Sequence, residues 1–343
     1  MWCKPQLRWL IILLLLTGCG NESGFRPASF PKTGSVAVRI IGDPIETGLP
    51  LDLCVEGKSI CVLAYTPDYW LHLYDRETGE LISQALPVGR GPGDAIDVRS
   101  MDYDRNAGLL YVHDPNLRKS IRYRFDGARG TVHYMDEVHH PEDGVIRNYH
   151  LLPNGRYLFE GYIFGEDTDT RFFLTENGVL TDQYQDYPGI SEENDKYAFL
   201  LSEGKSDPAT GRFVFGTLYG AVLECFDLRE GCFKRTGLRL LDPPRIDMSN
   251  RNFELAKGTK WGFSTFCLSR DGIYTNYLDN MDARVFTAIS VFNWDGKEKA
   301  RYETSNNILR MAIDPIDENA LYGIVSGEGQ EFSLARINLN LST

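Results

Sequence analysis

The feature that most constrains this chain is a turn that recurs about every 50 residues. Each copy begins with an acidic residue and ends with Gly, next to runs rich in Val, Ile, Leu, Tyr and Phe. The closing glycines lie 51, 48, 53 and 65 residues apart, in the turns Asp75–Gly79, Asp126–Gly130, Glu176–Gly178, Asp227–Gly231 and Asp295–Gly296. Asp caps such a turn through its carboxylate, and Gly adopts the positive φ that a tight hairpin needs. The pattern therefore predicts repeated small β-sheets with almost no helix.

A second set of five turns precedes aromatic strands, and the two sets together divide the chain into six units. Five units have four candidate strands, whereas the sixth has only three, at 308–314, 321–326 and 333–339. The segment SVAVRII at 35–41 is left over at the front and would supply the missing strand. We therefore predict an all-β fold, a six-bladed β-propeller over residues 35–343 closed by this N-terminal strand. An open stack of sheets, or two sandwiches, is the alternative.

The N-terminus has the features of a signal sequence for export. Lys4 and Arg8 give a positive start, and the apolar run Leu10–Leu16 follows. Seven helical residues span about 10 Å, far less than the ~30 Å core of a bilayer, so the run predicts a signal peptide over residues 1–18 and not a membrane span. The tetrad Leu-Thr-Gly-Cys that ends at Cys19 resembles the bacterial lipobox, whose Cys is acylated and becomes the new N-terminus. A plain secretory signal with a chance Cys is the alternative.

Residues 19–34 are rich in Gly, Pro and Ser, which predicts a flexible tether between the lipid and the fold. Gly20 follows the Cys where Asp would favour retention in the inner membrane, so we expect the outer membrane, with the periplasmic or surface face left open. The chain has 36 Lys and Arg against 48 Asp and Glu, a formal charge of −12. We therefore expect no nucleic-acid partner, because no cationic surplus exists to neutralise phosphates, and attachment to the membrane through the lipid only.

Two segments link the chain to a known group. Residues 88–94 have the sequence Val-Gly-Arg-Gly-Pro-Gly-Asp, and residues 110–114 have Leu-Tyr-Val-His-Asp. With the lipobox and the predicted blade count, these segments resemble the TolB-like six-bladed β-propeller lipoproteins, a group related in shape to NHL-repeat propellers. Their counterparts there are the GrGPGE link between the first two blades and the iyVlD strand; Asp94 stands in place of the usual Glu. The resemblance implies a binding or scaffold role at the cell envelope, and it supplies no catalytic residue.

The glycine-rich loop is the first candidate site. Gly89, Arg90, Gly91, Pro92 and Gly93 place backbone N–H groups around a guanidinium, an arrangement that suits a carboxylate or a phosphate. The loop lacks the Lys-Ser/Thr pair of a P-loop, so nucleotide binding is not expected. The alternative is an inter-blade turn in which Arg90 braces neighbouring carbonyls.

The second candidate is His113 beside Asp114, an acid–base pair that would line the end of the channel. The alternative is an Asp that caps the turn after its own strand. The six His show no metal-ligand spacing, and no motif predicts a nucleophilic Ser. We therefore predict no metal site, no cofactor and no assigned catalytic residue.

Four cysteines form two candidate pairs. Cys54 and Cys61 flank one predicted hairpin, and Cys225 and Cys232 repeat the same spacing. In the oxidising cell envelope each pair predicts a cross-strand disulfide, with two free thiols as the alternative.

Two segments are longer than the blades require, residues 186–196 and 242–257. Both fall between predicted blades, where they would shape a binding surface at the mouth of the channel. We therefore predict a lipid-anchored, monomeric envelope protein that binds a protein, peptide or glycan without catalysis. The alternative is a propeller-type hydrolase or lyase with a polar site at the channel mouth. An exposed apolar patch would favour binding, and three inward polar groups with displaced pKa values would favour the enzyme.

Overall fold

Small antiparallel sheets make up the fold, as the turn repeat predicts. The computed structural model describes residues 24–140, 144–162, 169–248, 254–282, 285–327 and 331–339. Within these ranges the chain forms six four-stranded antiparallel sheets, one of which gains a fifth, parallel strand, and one two-stranded hairpin. Each of the six sheets is a blade of the ring.

The N-terminal strands are β1 (Thr33–Ser35) and β2 (Val38–Ile45). Blade 1 contains β3 (Pro50–Glu56), β4 (Ser59–Ala64), β5 (Tyr69–Asp75) and β6 (Leu81–Pro87). Blade 2 contains β7 (Ser100–Asp104), β8 (Leu109–Asp114), β9 (Lys119–Asp126) and β10 (Thr131–His139). Blade 3 contains β11 (Val145–Leu151), β12 (Tyr157–Tyr162), β13 (Phe172–Glu176) and β14 (Val179–Tyr184).

Blade 4 contains β15 (Ser202–Asp207), β16 (Arg212–Thr217), β17 (Ala221–Asp227) and β18 (Lys234–Asp242). The short hairpin follows as β19 (Ile246–Asp247) and β20 (Glu254–Leu255). Blade 5 contains β21 (Trp261–Leu268), β22 (Ile273–Asn280), β23 (Ala288–Phe292) and β24 (Glu298–Glu303). Blade 6 contains β25 (Asn307–Ile313), β26 (Ala320–Ser326) and β27 (Phe332–Asn338). Short 3-10 helices lie at Pro153–Gly155 and Glu193–Leu200.

The ring closes through the N-terminal strand, as predicted. β2 pairs antiparallel with β27, with Val38 opposite Ile337, and so becomes the fourth strand of blade 6. The predicted strand 35–41 is divided in the structure, because β1 ends at Ser35 and pairs in parallel with β24 of blade 5. One stretch of chain therefore ties blade 5 to blade 6 and joins the two ends of the ring. This topology confirms the six-bladed propeller and excludes the open stack and the two sandwiches.

The turn after β5 shows the chemistry behind the repeat. Asp75 Oδ1 accepts hydrogen bonds from the backbone N–H groups of Thr78 (2.9 Å) and Glu77 (2.8 Å). Both bonds favour the ionised carboxylate and lower the pKa of Asp75. Gly79 then adopts φ = 76°, a conformation that residues with a Cβ disfavour. Acid first and glycine last is therefore the order that this turn requires.

Aromatic side chains fill the contact between blades 3 and 4. The ring of Phe172 on β13 packs edge-on against Phe215 and Phe213 of β16, with centroids 4.9 Å and 5.5 Å apart. All three side chains are fully buried. Edge-to-face pairs bury a large apolar area and favour one mutual orientation of the rings. The many aromatic residues of the sequence thus serve packing between blades.

The start of blade 4 differs from the strand pattern of the sequence. The apolar run at 197–203 predicts a strand, but the structure places a 3-10 helix at Glu193–Leu200, and β15 begins only at Ser202. Phe199 is buried against the ring of Tyr187, with centroids 5.4 Å apart. Burial of this one aromatic side chain over the top of the blade accounts for the helical turn.

The segment before the propeller also differs from prediction. Arg26 N donates to the carbonyl of Leu240 (3.0 Å), and the ring of Phe30 packs against Phe292 with centroids 5.5 Å apart. From Gly24 onward, the predicted flexible tether therefore lies against blades 4 and 5, because its two aromatic residues find apolar surface there. The predicted signal peptide, Cys19 and the first tether residues lie outside the described residues.

The antiparallel order of the strands sorts the loops onto two faces. Turns between the first and second strands of a blade, and between its third and fourth strands, lie on what we call the lower face. Connections between second and third strands, and between blades, lie on the upper face. The two long segments predicted at 186–196 and 242–257 connect blades, so their described parts belong to the upper face. The first strand of each blade borders the central channel.

Candidate functional site

The upper mouth of the channel is a cavity of about 510 Å³. Its volume is within the range of small-molecule sites. Charged side chains from blades 2, 3, 4 and 6 line its described wall: Asp97, Arg99, Arg147, Glu160, Glu203 and Arg310. The mouth is therefore a polar site assembled by the ring as a whole, at the place where the sequence predicts one.

Two arginines of this wall are held by their surroundings. Arg99 donates to Asp97 Oδ2 at 2.8 Å. Arg310 donates to the backbone carbonyl of Leu309 at 2.9 Å and to that of Leu51. Their guanidinium groups therefore already have acceptors, and they shape the mouth more than they offer a binding group.

Arg147 is different, because it forms no hydrogen bond or ion pair with any residue that the structure describes. The nearby carboxylate of Glu160 instead accepts a hydrogen bond from His150 Nε2 at 2.6 Å. The pKa of Arg147 is lowered, because desolvation of its half-buried guanidinium outweighs the attraction of Glu160. Among the described residues of the upper face, Arg147 is therefore a cation that no carboxylate contacts.

A β-bulge directs Arg147 away from the strand ladder. The register of β11 against β12 slips between Ile146 and Asn148, so Arg147 is the extra residue without a partner. Bulges re-aim a side chain and are frequent beside functional sites. Opposite the bulge, Gly161 adopts φ = 144°, and a Cβ there would lie 2.0 Å from the carbonyl oxygen of Val145. Only glycine fits this position.

A second cavity, of about 460 Å³, adjoins the channel mouth, and Arg147 lines both. We call this second cavity the upper-face pocket. Val145, Tyr197 and Leu200 line it and are 41%, 43% and 48% exposed. Tyr187, from the first of the two long segments, lines it as well. The pocket is thus an apolar recess with a cation on one side, and exposed apolar side chains are the feature that we expect of a binding surface.

Arg171 also lines the upper-face pocket, but it is a structural brace. Its guanidinium lies 2.6 Å from Glu224 Oε2, and the two side chains are 2% and 0% exposed. The rings of Phe199, Phe172 and Phe215 surround it, with centroids 4.3, 4.7 and 4.8 Å away. An arginine that is neutralised and stacked in this way strengthens the contact between blades 3 and 4.

The remaining charges of the pocket compensate one another. Lys196 Nζ lies 3.0 Å from Glu193 Oε1 and 3.4 Å from Asp169 Oδ1. The lysine is therefore shared between two carboxylates. Among the charged residues that line the described part of the pocket, Arg147 alone has no oppositely charged partner within contact distance.

A different polar network is buried in blade 2. Asp102 Oδ2 accepts a hydrogen bond from His113 Nε2 (3.0 Å), and His113 Nδ1 accepts one from Ser120 Oγ (2.8 Å). Ser120 Oγ in turn accepts one from His140 Nε2 (2.6 Å). We call these four residues the Asp102 network. Asp102 also accepts hydrogen bonds from residues of β11 and β15, so the network ties blade 2 to blades 3 and 4.

Burial sets the charge states within the Asp102 network. Desolvation lowers the pKa of His113 and lowers that of His140 to about 3, so both rings are neutral near pH 7. Desolvation raises the pKa of Asp102, but the hydrogen bond from His113 and the charge of Lys205 bring it down to about 2. The network therefore contains one ionised carboxylate held by neutral donors.

The Asp102 network has the atoms of a Ser-His-Asp triad without access to a substrate. Ser120 and His113 are 0% exposed, and neither lines the channel mouth or the upper-face pocket. A nucleophilic Ser must reach the bond that it attacks. The arrangement is therefore a structural hydrogen-bond network and does not support serine hydrolysis.

The predicted pair of His113 and Asp114 is separated in the structure. His113 points to Asp102, whereas Asp114 accepts backbone hydrogen bonds from Ile96 (2.7 Å) and Leu117 (2.9 Å). Both His113 and Asp114 are 0% exposed. They lie inside blade 2 and not on the channel wall, and Asp114 caps its own turn, as the alternative interpretation has it.

The glycine-rich loop joins blades 1 and 2, and the backbone N–H groups of its three glycines are occupied. Gly91 N donates to Asp94 Oδ2 (2.9 Å), and Gly93 N donates to Glu137 Oε1 (2.6 Å). Arg90 is exposed and forms no hydrogen bond with the residues that the structure describes. The loop is thus organised as an inter-blade turn, and two carboxylates brace it where the sequence interpretation expects Arg90.

The four cysteines of the two predicted pairs are free thiols in the structure. Cys54 on β3 lies directly opposite Cys61 on β4, and the contact with Cys54 raises the pKa of Cys61. A disulfide between them stays a prediction. Cys225 lies opposite Gly237, whereas Cys232 is exposed before β18 begins. The register therefore does not bring the second pair face to face.

The described residues also bear on metal binding and on insertion into a membrane. No group of three or more His, Cys, Asp or Glu is placed there to hold a metal ion. In the same ranges, no helix has the length and apolar character to span a membrane. Of the adjacent pair His139 and His140, the first is 73% exposed in its side chain and the second is buried, so the two rings diverge.

Known proteins resemble this chain in fold only. No family model matches the chain, and no curated protein does. A solved structure of a Bacteroides fragilis protein, described as exported, matches with a TM-score of 0.57 at 12% identity, over 92% of this chain and 98% of that one. The β-propeller domain of Cps50 (Swd1) from Myceliophteria thermophila matches with a TM-score of 0.51 at 11% identity, over 87% and 99%. Topology and likeness agree that this chain is a six-bladed β-propeller.

Proposed function

We propose that the protein is an exported, lipid-anchored binding protein that holds a protein or peptide partner against its upper face. The export signal over residues 1–18 and the lipidation motif at Cys19 support this address, and Gly20 supports the outer membrane. The likeness in fold to a Bacteroides fragilis protein described as exported is consistent with it. The segments 88–94 and 110–114 support a place among the TolB-like lipoproteins.

The observation that carries this proposal is the group of exposed apolar side chains around the upper-face pocket. Val145, Tyr197 and Leu200 are each more than 40% exposed and line one cavity. Val179 and Ile316 are more exposed still, at 66% and 78%, but each stands singly at the lower face. Apolar side chains gathered around a recess are typical of interaction sites, whereas single ones are ordinary surface.

Capture of a partner from solubilised envelope tests the proposal. The lipidated full chain serves as bait, together with Leu200→Asp and the matched control Val179→Asp, which changes an exposed apolar residue of the lower face. We expect one stoichiometric partner with the unaltered chain and with Val179→Asp, and its loss with Leu200→Asp. The purified partner should reproduce this order of binding. Recovery of no such partner, or equal recovery with Leu200→Asp, would contradict the proposal.

One observation favours the alternative, enzyme function. Desolvation, together with the nearby carboxylates of Glu160 and Asp52, raises the pKa of Glu203 at the channel mouth. A carboxyl that stays protonated at higher pH suits general acid catalysis. Turnover in a screen of hydrolase and lyase substrates that disappears with Glu203→Gln would establish this function. If the capture experiment also recovered no partner, the enzyme function would replace the binding function.

A further inference from the structure

The upper-face pocket has a chemical preference that partner binding alone does not require. We infer that it takes a single carboxylate attached to an aromatic or aliphatic group, and that Arg147 holds the carboxylate. A free C-terminal residue of a peptide is the simplest ligand of this class. The inference rests on the proposed function in one respect, because the pocket opens on the face that is proposed to hold the partner.

The balance of charge points to an anion. Arg171 is neutralised inside the protein, and Lys196 is shared between two carboxylates. Arg147 is half-buried and has no partner among the residues that the structure describes. A partly buried charge with no counter-ion in contact is unfavourable, so an arriving anion would be bound where it relieves that deficit. One guanidinium calls for one negative charge.

The geometry favours a carboxylate over a spherical anion. A guanidinium presents its N–H groups as a planar fork that matches the two oxygens of a carboxylate. The bulge at Arg147 and the glycine opposite it, Gly161, turn this side chain out of the ladder before any ligand arrives. The binding group is therefore displayed by the backbone and does not depend on a rearrangement.

The walls define the rest of the ligand. Val145, Tyr187, Tyr197 and Leu200 surround the cavity with apolar surface, and its volume of about 460 Å³ has room for one amino-acid residue or a small aromatic molecule. The carboxylates that share Lys196 would repel a ligand with several negative charges. The pocket thus prefers one anionic group on an apolar body to a phosphate dianion.

Ligand-observed NMR on the purified full chain in a non-ionic detergent tests this inference. The probe is N-acetyl-phenylalanine, and its amide is the uncharged match. We expect the acid to bind at least tenfold more tightly than the amide, and Arg147→Gln to reduce binding of the acid to the level of the amide. Arg147→Lys should restore part of the binding, because it returns the charge without the fork. Arg229→Gln is the control, since it removes an exposed arginine from a lower-face turn.

Three outcomes would overturn the inference: equal binding of acid and amide, unchanged binding in Arg147→Gln, or tighter binding of phenyl phosphate than of the acid. The capture experiment keeps the two proposals apart. Partner loss in Leu200→Asp, with no effect of Arg147→Gln or of excess N-acetyl-phenylalanine, leaves the proposed function standing and ends the carboxylate site. If the acid binds in a manner that depends on Arg147 and no partner is captured, the carboxylate site stands and the proposed partner binding is contradicted.

Discussion

The Asp102 network and the upper-face pocket both concentrate polar groups, and they differ in whether those groups are satisfied. Asp102 accepts hydrogen bonds from His113, from the hydroxyl of Ser206 (3.2 Å) and from the backbone N–H of Leu151 (2.7 Å). Arg147, at the pocket, has no such partner in the described part of the chain. His113 and Ser120 of the network are closed to solvent, and Asp102 is 3% exposed at a small cavity of about 110 Å³ in the channel, whereas the upper-face pocket is open.

This difference shows that the composition of a cluster does not identify a site. Ser120, His113 and Asp102 look like catalytic machinery when only their distances are considered, yet the nucleophile and the base, Ser120 and His113, are fully buried. A single arginine in a bulge looks unremarkable by composition, yet it lines two cavities. Unmet hydrogen-bonding capacity and access to solvent are the properties that distinguish a binding group from a brace.

The largest effect should come from removing the acceptor of the closed network. Asp102→Ala leaves His113 and the N–H of Leu151 without their acceptor, and we expect a loss of about 3 to 5 kcal/mol in the free energy of unfolding. Denaturant titration measures it. Asp97→Ala, which removes a partly exposed carboxylate at the channel mouth, should change stability by less than about 1 kcal/mol. If both variants changed stability equally, Asp102 would be no more important to the fold than the partly exposed Asp97.

The next effect concerns the bulge that displays Arg147. Gly161→Ala forces a Cβ against the carbonyl of Val145 at φ = 144°, and we expect a loss of roughly 3 kcal/mol together with loss of N-acetyl-phenylalanine binding. Gly178→Ala is the control, because φ is +78° there and nothing lies within 4 Å of the added methyl group. Its cost should be near 1 kcal/mol. Thermal unfolding and the NMR titration separate the two variants, and retained binding in Gly161→Ala would count against the role of the bulge.

A smaller effect appears in the pH dependence of stability. The pKa of His140 falls from 6.5 to about 3 on folding, so its contribution is complete above pH 6.5 and is lost as pH falls toward 3. Between pH 7 and pH 5 this loss amounts to about 2 kcal/mol. His140→Gln keeps a donor for Ser120 and should lack this part of the slope. Parallel stability curves for the two proteins over that interval would refute the assignment of a neutral, buried His140.

The smallest effect on stability is expected at the pocket itself. Arg147→Gln removes no hydrogen bond or ion pair with the described residues, so the free energy of unfolding should stay within about 0.5 kcal/mol of the unaltered chain. Its loss of carboxylate binding should therefore be large while its stability is unchanged. Destabilisation by more than 2 kcal/mol would show that Arg147 is a brace after all.

The fold could be predicted because its signals are local. The carboxylate of Asp75 and the positive φ of Gly79 act within one turn of five residues, and the leftover strand near residue 38 follows from counting strands. Local chemistry of this kind is visible in any single sequence. The packed segment from Gly24 onward was not visible, because Phe30 finds its partner Phe292 on a blade that is distant in the chain.

The residues of the upper-face pocket could be predicted only in part. The long segment at 186–196 does contribute Tyr187 to a pocket on the upper face. Arg147, however, has no local signal, because its bulge depends on the register of β11 against β12. Likewise His113 pairs with Asp102, eleven residues earlier, through the register of two neighbouring strands, while the adjacent Asp114 faces elsewhere. Register is a property of the assembled sheet, so one sequence does not reveal it.

The packed N-terminal segment would limit the distance between the propeller and a membrane to which Cys19 is anchored, as proposed above. Phe25 rests against Gly189, close to Tyr187 of the pocket wall, so Gly24, the first described residue, lies near that pocket. With Cys19 acylated, five peptide units separate the lipid from Gly24, a reach of roughly 18 Å at most. The acylated chain would then keep the pocket within a short distance of the bilayer surface. The rate of encounter with a membrane-bound partner would then depend on the number of partner molecules per area of membrane. A soluble ligand would have to diffuse to the membrane surface before it could bind.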